Sequence, residues 1–454
     1  MADKTLTVNG QPFTFNRDRF AGVRTMTVNG ETVTVDRTAQ VIDSDRKGES
    51  RPLLSKVVGG AAAAYSLRDL NDKQGNNKVV RVRRGSNNVE SDFTASGVSS
   101  GALLDFVTTS QIGWNAQPTF SNAAGTGSVT SQSSTATTAT VSFTGEASLI
   151  RETSKPNHVL GSSGDQVIFN ISVSGLDSTG TLRLRTSGTN TTVASSSISN
   201  GDNQDITLNL TGSAGYLAMT FVASSGGTIT FNSIKVLPKS GFVETWYDQS
   251  GNSSDATQLT AGSQPKIVDA GSLVTGGIDF LDGTDTFLET TNSDICNVPQ
   301  LSLFTVLTPH IAASQAVAFS CGAVVSNSTS YGGWVLTLNG YSDTVGLITQ
   351  SKGNSALTGI FTSVTSSEAL VSLVSTFPNA SISRDGGTAA ASSSMVSPNQ
   401  TSTGTRKFRI GCNFTFRAAS FYTQPINEII IYTSDQSANR PAIEANINNQ
   451  YDIY

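Results

Sequence analysis

Between Thr108 and Ser240 the chain changes character. About 130 residues there are dominated by Ser, Thr, Gly and Asn, and they separate two flanks of different composition. Apolar residues within it fall at alternate positions, through Ala139–Phe143, Gln166–Val173, Gly180–Arg185, Asp205–Leu210, Gly215–Val222 and Thr228–Val236. A period of two is the pattern of half-buried strands. A stretch of this size with its own strand pattern is expected to fold on its own. A neighbouring core accepts such an insertion only at a surface loop whose two ends lie close together. The flanks are therefore expected to close into one unit, with the intervening stretch as a guest.

Composition points to the same class. Apolar residues make up 37% and charged residues only 14%, and β-branched residues and turn formers outweigh helix formers. That mix predicts an all-β chain, and 454 residues suffice for two or three domains with real cores. The formal net charge of −5 argues against nucleic acid, which requires a basic face to neutralise phosphates. The cluster Arg81, Arg83, Arg84 lies on an expected strand, and pairing with carboxylates such as Asp92 and Asp105 is its plainest role.

The three cysteines, Cys296, Cys321 and Cys412, are odd in number and widely spaced. They suggest buried free thiols in a protein made in a reducing cytoplasm, without a disulfide framework or zinc site. The N-terminal MADKTLTVNG lacks the apolar run of a signal peptide, and no segment resembles a membrane span, so no membrane insertion is expected.

Outside the guest, the first residues repeat. Thr5–Asp18 (TLTVNGQPFTFNRD) and Thr25–Thr38 (TMTVNGETVTVDRT) each alternate around Asn-Gly, the strongest short hairpin signal. Two such hairpins bury little alone. Residues 1–51 read either as an arm completing a sheet with another subunit or partner, or as a hairpin pair packed on its own domain. Leu53–Asn71 has near-helical apolar spacing, a short helix is expected at Gly101–Val107, and Asp435–Tyr451 reads as a terminal helix. Strand signals recur from Phe242 to Ile431 at the spacing of a two-sheet sandwich.

Several blocks carry a resemblance. AYSLR at Ala64–Arg68, VRVRR at Val80–Arg84, ALLDFV at Ala102–Val107, WYDQSGNSSDATQ at Trp246–Gln258 and QPKIV at Gln264–Val268 resemble a β-sandwich module of bacteriophage virion proteins. Asn427–Tyr454 is similar to the usual C-terminus of such proteins. The YDQSG block also resembles the catalytic domain of fungal α-L-arabinofuranosidase B, a concanavalin-like jelly roll. Asp279–Leu288 is similar to a hairpin of laminin-G-like sandwiches, and Gly226–Pro238 (GGTITFNSIKVLP) resembles the last strand of jelly-roll carbohydrate-binding modules. The resemblance implies an N-terminal β-hairpin arm (1–51), a concanavalin/laminin-G-like β-sandwich (52–107 plus 241–454) and an inserted jelly roll (108–240). It implies a virion structural protein of fibre, spike or decoration type. Its expected partners are other virion proteins through the arm, further copies of itself (a trimer, by analogy with fibres) and a host surface glycan. A glycoside hydrolase and a purely architectural capsid or tail protein are the alternatives.

Chemistry finds little foothold. Retaining glycoside hydrolysis needs two carboxylates roughly 5 Å apart. The block offers Asp248 and Asp255, which are better read as turn caps around Gly251, and no enzyme is expected. His158 and His310, the only histidines, fall in different domains, which disfavours a triad or a histidine metal site. Asp279, Asp282 and Asp285 lack the D-x-D-x-D pattern of calcium loops, so neither metal nor other cofactor is expected. Such sandwiches bind sugars by stacking them on exposed aromatics. The candidates are Trp114 in the guest and Tyr331, Trp334 and Tyr341 in the host, each with core packing as its other reading. Alternation places one of Trp246 and Tyr247 in the core.

Overall fold

The computed structural model describes residues 60–71 and 77–112 (87 excepted), most of 119–309, then 315–322, 333–339, 344–350, 358–398, 407–413 and 421–454, with residues 53–55 and four short N-terminal strands. Over these residues the chain is nearly all β, with three α-helices, the fold class its composition dictates.

The flanks of the guest meet in one sheet. Strand Lys78–Arg84 pairs antiparallel with Gly241–Trp246 on one side, Gly241 opposite Arg84 and Trp246 opposite Val80, and with Glu90–Thr94 on the other. Strand Ala63–Ser66 pairs with Pro425–Tyr432, which continues through Gln300–Leu307 and Ala369–Thr376 to Asn379–Arg384. Strands Gln315–Gly322, Gly333–Asn339, Thr344–Gln350 and Thr358–Ser363 form a second run of antiparallel neighbours. A core containing Tyr65, Trp246, Phe319, Trp334, Phe408, Ile429 and Ile431 lies between them. Strand Pro425–Tyr432 is apolar on both faces for a reason. Ile429 and Ile431 enter that core, while Ile430 and Tyr432 enter a second one beneath the C-terminal helix Arg440–Tyr451 with Ile443 and Ile447.

The guest has its own two sheets. One runs Ser128–Ser134, Ala139–Thr144, Gly226–Leu237, Gln166–Ser174, Gly201–Asn209. The other runs Thr192–Ile198, Gly180–Arg185, Tyr216–Phe221, Ala147–Glu152, Phe120–Gly125. Their core shares no residue with the two host cores. At the junction the entering strand Gln111–Ile112 pairs with Lys235 and Val236 of the departing one. Asp165, fully buried, accepts from the Lys239 amide at 2.6 Å, and the Gly85 amide donates to the Ser240 carbonyl at 3.0 Å.

The helix expected over Leu53–Asn71 does not form. Leu53–Ser55 is a single 3-10 turn and Ala63–Ser66 is a strand. Ala63, Ala64 and Tyr65 are all buried, packed toward cores on both faces, so the run lacks the period-two signature and mimics a helical stripe. Ala102–Thr108 is helical as expected. The terminal helix starts only at Arg440, because Asp435 folds back to accept from the Ser437 amide at 2.8 Å. The expectation of three free thiols is also corrected: Cys296 and Cys321 are joined as a disulfide, and Cys412 alone is a buried free thiol. Spacing in sequence could not reveal that strand Gln315–Gly322 passes beside the turn at Cys296.

The two N-terminal repeats form matching hairpins, Lys4–Val8 with Gln11–Phe15 and Arg24–Val28 with Glu31–Val35, Val8 opposite Gln11 and Val28 opposite Glu31. Among the described residues neither hairpin pairs with another strand. No helix among the described residues is long and apolar enough to cross a membrane.

Candidate functional site

The block that carries the resemblance is the seam of the host sandwich. The loop after Trp246 lies against Ala61–Asn71. Asp248 Oδ1 accepts from the amides of Ala64 (2.8 Å) and Ser250 (2.9 Å), and Oδ2 from Ser250 Oγ (2.7 Å) and the Ser254 amide (3.0 Å). Asp255 accepts from the Asp248 amide at 2.9 Å, and burial pushes its carboxyl upward. Gln249 accepts from the Leu70 amide and donates to the carbonyls of Ser66 and Arg68. Tyr65 Oη donates to the Ser254 carbonyl at 2.5 Å. The tight turn is possible because Gly251 takes φ 92°, where a side chain would be strained. Four donors saturate the Asp248 carboxylate, so this group fastens two segments distant in sequence and has no lone pair directed at a substrate.

A second joint lies beside it. Glu428 is fully buried and receives Arg68 Nε at 2.6 Å, Arg68 Nη2 at 2.7 Å and Tyr451 Oη at 3.0 Å. The bidentate Arg68–Glu428 pair ties the segment after Ala63–Ser66 to strand Pro425–Tyr432, and Tyr451 and Asn446, the latter accepting from Arg68 Nη1 at 2.9 Å, fasten the terminal helix to it.

Of the arginine cluster, Arg81 pairs with Asp92 (2.7 Å), which also takes Lys78 Nζ (2.5 Å) and Tyr247 Oη (2.7 Å). Led by the hydrogen bond from Arg81, these donors hold Asp92 well below the usual carboxylate range. The expected pairing with Asp105 is not made by these arginines. Arg83 lies over the Phe242 ring at 4.7 Å and donates to Gln264, and Arg84 lies over Phe106 at 4.5 Å; both are cation–π contacts.

Among the expected sugar platforms, Trp114, Tyr331 and Tyr341 lie outside the described residues, as do His158, His310, Asp282 and Asp285. Trp334 is not a platform. It is 1% exposed, its indole Nε1 donates to the Ile295 carbonyl at 2.9 Å, and its ring sits 5.9 Å from Phe408. Leu336 and Leu338, at the same alternation, are buried with it. Trp246 is buried and Tyr247 half-buried, so alternation divides that pair. Among the described residues no group of three or more His, Cys, Asp or Glu could hold a metal ion.

An exposed aromatic on the host sheet, Phe361, lies two strands away from Trp334. In Thr358–Ser363, Ile360 points into the core, and Gly359, Phe361 and Ser363 face outward. Phe361 stands opposite Gly346. A Cβ at Gly346 would collide with Phe361 Cδ1, and one at Gly359 would lie 2.7 Å from Cε2. The ring therefore lies flat on the backbone of two glycines, and 40% of the residue is exposed. Thr344, opposite Ser363, and Arg384, whose Nη1 donates to the Ser363 carbonyl at 3.3 Å, supply a polar edge. Sequence reading passed over Phe361 because a lone Phe between Thr and Ile looks like strand filler. The signal was a pair of glycines around it, Gly359 two residues earlier on its own strand and Gly346 directly opposite it on the next. Elsewhere an open groove of about 540 Å³ lies between Ala380, Ser392 and Asp435. It has no aromatic wall, and Asp435 there already accepts from Ser437 and Thr376.

No family model matches the chain, and no curated protein does. Solved structures similar to part of it include the CBM40 module of the Ruminococcus gnavus IT-sialidase bound to α2,3-sialyllactose, at 13% identity over 33% of this chain and 82% of the module, with a TM-score of 0.28. A heptameric SAP-like pentraxin from Limulus polyphemus is 14% identical over 32% of this chain and 69% of its own (TM-score 0.26). The NanB sialidase of Streptococcus pneumoniae is 13% identical over 35% of this chain and only 26% of the sialidase (TM-score 0.29). Likeness of this extent carries no argument about ligand or activity.

Proposed function

We propose that the chain is a structural subunit displayed on a bacteriophage particle that adheres to host surface glycans. The observation that carries the binding part is Phe361, flat on Gly346 and Gly359 with its outer π-face open and hydroxyls alongside. An aromatic held flat gives up little conformational freedom when a sugar ring stacks on it. The virion part is supported by the order of the blocks resembling phage virion modules. The two N-terminal hairpins, unpaired along their outer edges among the described residues, suit strand addition to a partner in the particle.

The test is binding of the purified chain to an array of host envelope glycans. Wild type is expected to bind, and Phe361→Ala to lose at least tenfold in affinity while melting like wild type. A wild type that binds no envelope sugar, or an Ala variant that binds as well, defeats the reading. Release of reducing sugar during the assay would favour a hydrolase instead. Deleting residues 1–51 is expected to abolish incorporation into particles, scored by particle mass spectrometry; full occupancy without them would exclude docking through the arm.

A further inference from the structure

One face of the guest sandwich carries two arginines that pair with no acid among the described residues. In Gly180–Arg185, Leu182 and Leu184 enter the core, so Thr181, Arg183 and Arg185 turn outward together. Across the neighbouring strand, Thr181 faces Ser197, Arg183 faces Ser195 and Arg185 faces Thr192, and all three partners are exposed. On the other side Arg183 faces the fully buried Ala218. Among the described residues neither guanidinium has an acid partner, and Arg185 Nε is shielded from solvent yet donates to nothing.

The opposite sheet of the guest is different. There Asn232 Nδ2 donates to Asn170 (2.9 Å), Ser172 (3.0 Å) and Asn203 (3.2 Å), and Asn170 donates to Asp205 at 2.8 Å. That polar face satisfies itself. The arginine face does not, and a desolvated guanidinium donor calls for an acceptor.

We propose that this face binds an acidic polysaccharide, its carboxylates taken by Arg183 and Arg185 and its hydroxyls by Ser195 and Ser197. The Cα atoms of two residues two apart on one strand stand roughly 7 Å apart, and each guanidinium has the fork geometry that matches a carboxylate. The surrounding hydroxyls favour a sugar chain over nucleic acid, as does the net charge of −5. The inference goes beyond the Phe361 platform, since the two surfaces lie on different sandwiches and can be disabled separately.

The test is affinity electrophoresis of the whole chain through gels containing polygalacturonate, neutral dextran or duplex DNA. Wild type is expected to be retarded by polygalacturonate and not by dextran, less so as salt rises. The double variant Arg183→Gln/Arg185→Gln should lose at least tenfold in affinity, and Arg183→Lys/Arg185→Lys should keep only part of it, because charge survives while the fork is lost. Phe361→Ala should bind polygalacturonate like wild type. The proposal is overturned if polygalacturonate retards no more than dextran, if DNA binds as tightly as polygalacturonate, or if the Gln pair, folded by its melting curve, binds unchanged.

Discussion

Asp92 shows how much a single carboxylate can organise at the edge of the host sandwich. It gathers Arg81, Lys78 and Tyr247, and its pKa in the folded protein is depressed, chiefly by the hydrogen bond from Arg81. A depressed folded pKa contributes stability that is complete above the unfolded value, about 4, and fades as pH falls from there toward the lower folded value. Denaturant midpoints measured from pH 7 downward should therefore drop more steeply below about pH 4 in wild type than in Asp92→Asn. Parallel curves for the two proteins would contradict this. Residue roles were unevenly legible. Asp and Asn beside Gly announced a turn at Asp248–Asp255. The alternation that buries Trp334 and exposes Phe361 depends on which face of each strand meets the core, and that is set by pairing across the sheet.

At the scale of elements, strands buried on both faces were the hardest to read. Ala63–Ser66 looked helical because both faces are apolar, whereas the β-branched run of Pro425–Ile431 announces the strand found at Pro425–Tyr432. Helices announced themselves where one face is wet, as in Arg440–Tyr451. The disulfide was invisible, because contact between Cys296 and Cys321 follows from strand placement, and their sequence separation of 25 gives no hint of it. Closing a loop of that length is worth about 3 kcal/mol through the unfolded chain. Cys296→Ser/Cys321→Ser should therefore unfold at lower denaturant, and dithiothreitol should bring wild type down to meet it. The thiol of Cys412, pushed up to about 12 by burial, should remain unmodified by alkylating agents at neutral pH until the chain unfolds.

For the whole molecule, the change in composition falls where the sheets part: Gln111 opens the guest's pairing and Leu237 closes it. The entering and departing strands are immediate neighbours, so their backbones run about 5 Å apart. Replacing residues 111–238 with a few Gly and Ser residues should leave the host to unfold in one cooperative step, with its tryptophan emission still that of buried Trp246 and Trp334. A host that emerges molten from this deletion would show that the two sandwiches depend on each other.

The adjacency of those two strands bears on how such chains diversify. Gly241 lies so close to Val107 that an added Cβ would meet its Cγ2 at 2.7 Å, so the gate through which the guest enters is fixed by the scaffold alone. Any sequence whose own termini end side by side can be spliced through that gate without disturbing the Lys78–Arg84 and Gly241–Trp246 pairing. Under the adhesive role proposed above, lineages carrying this scaffold would exchange guests by recombination, altering the ligand while the host sandwich stays constant.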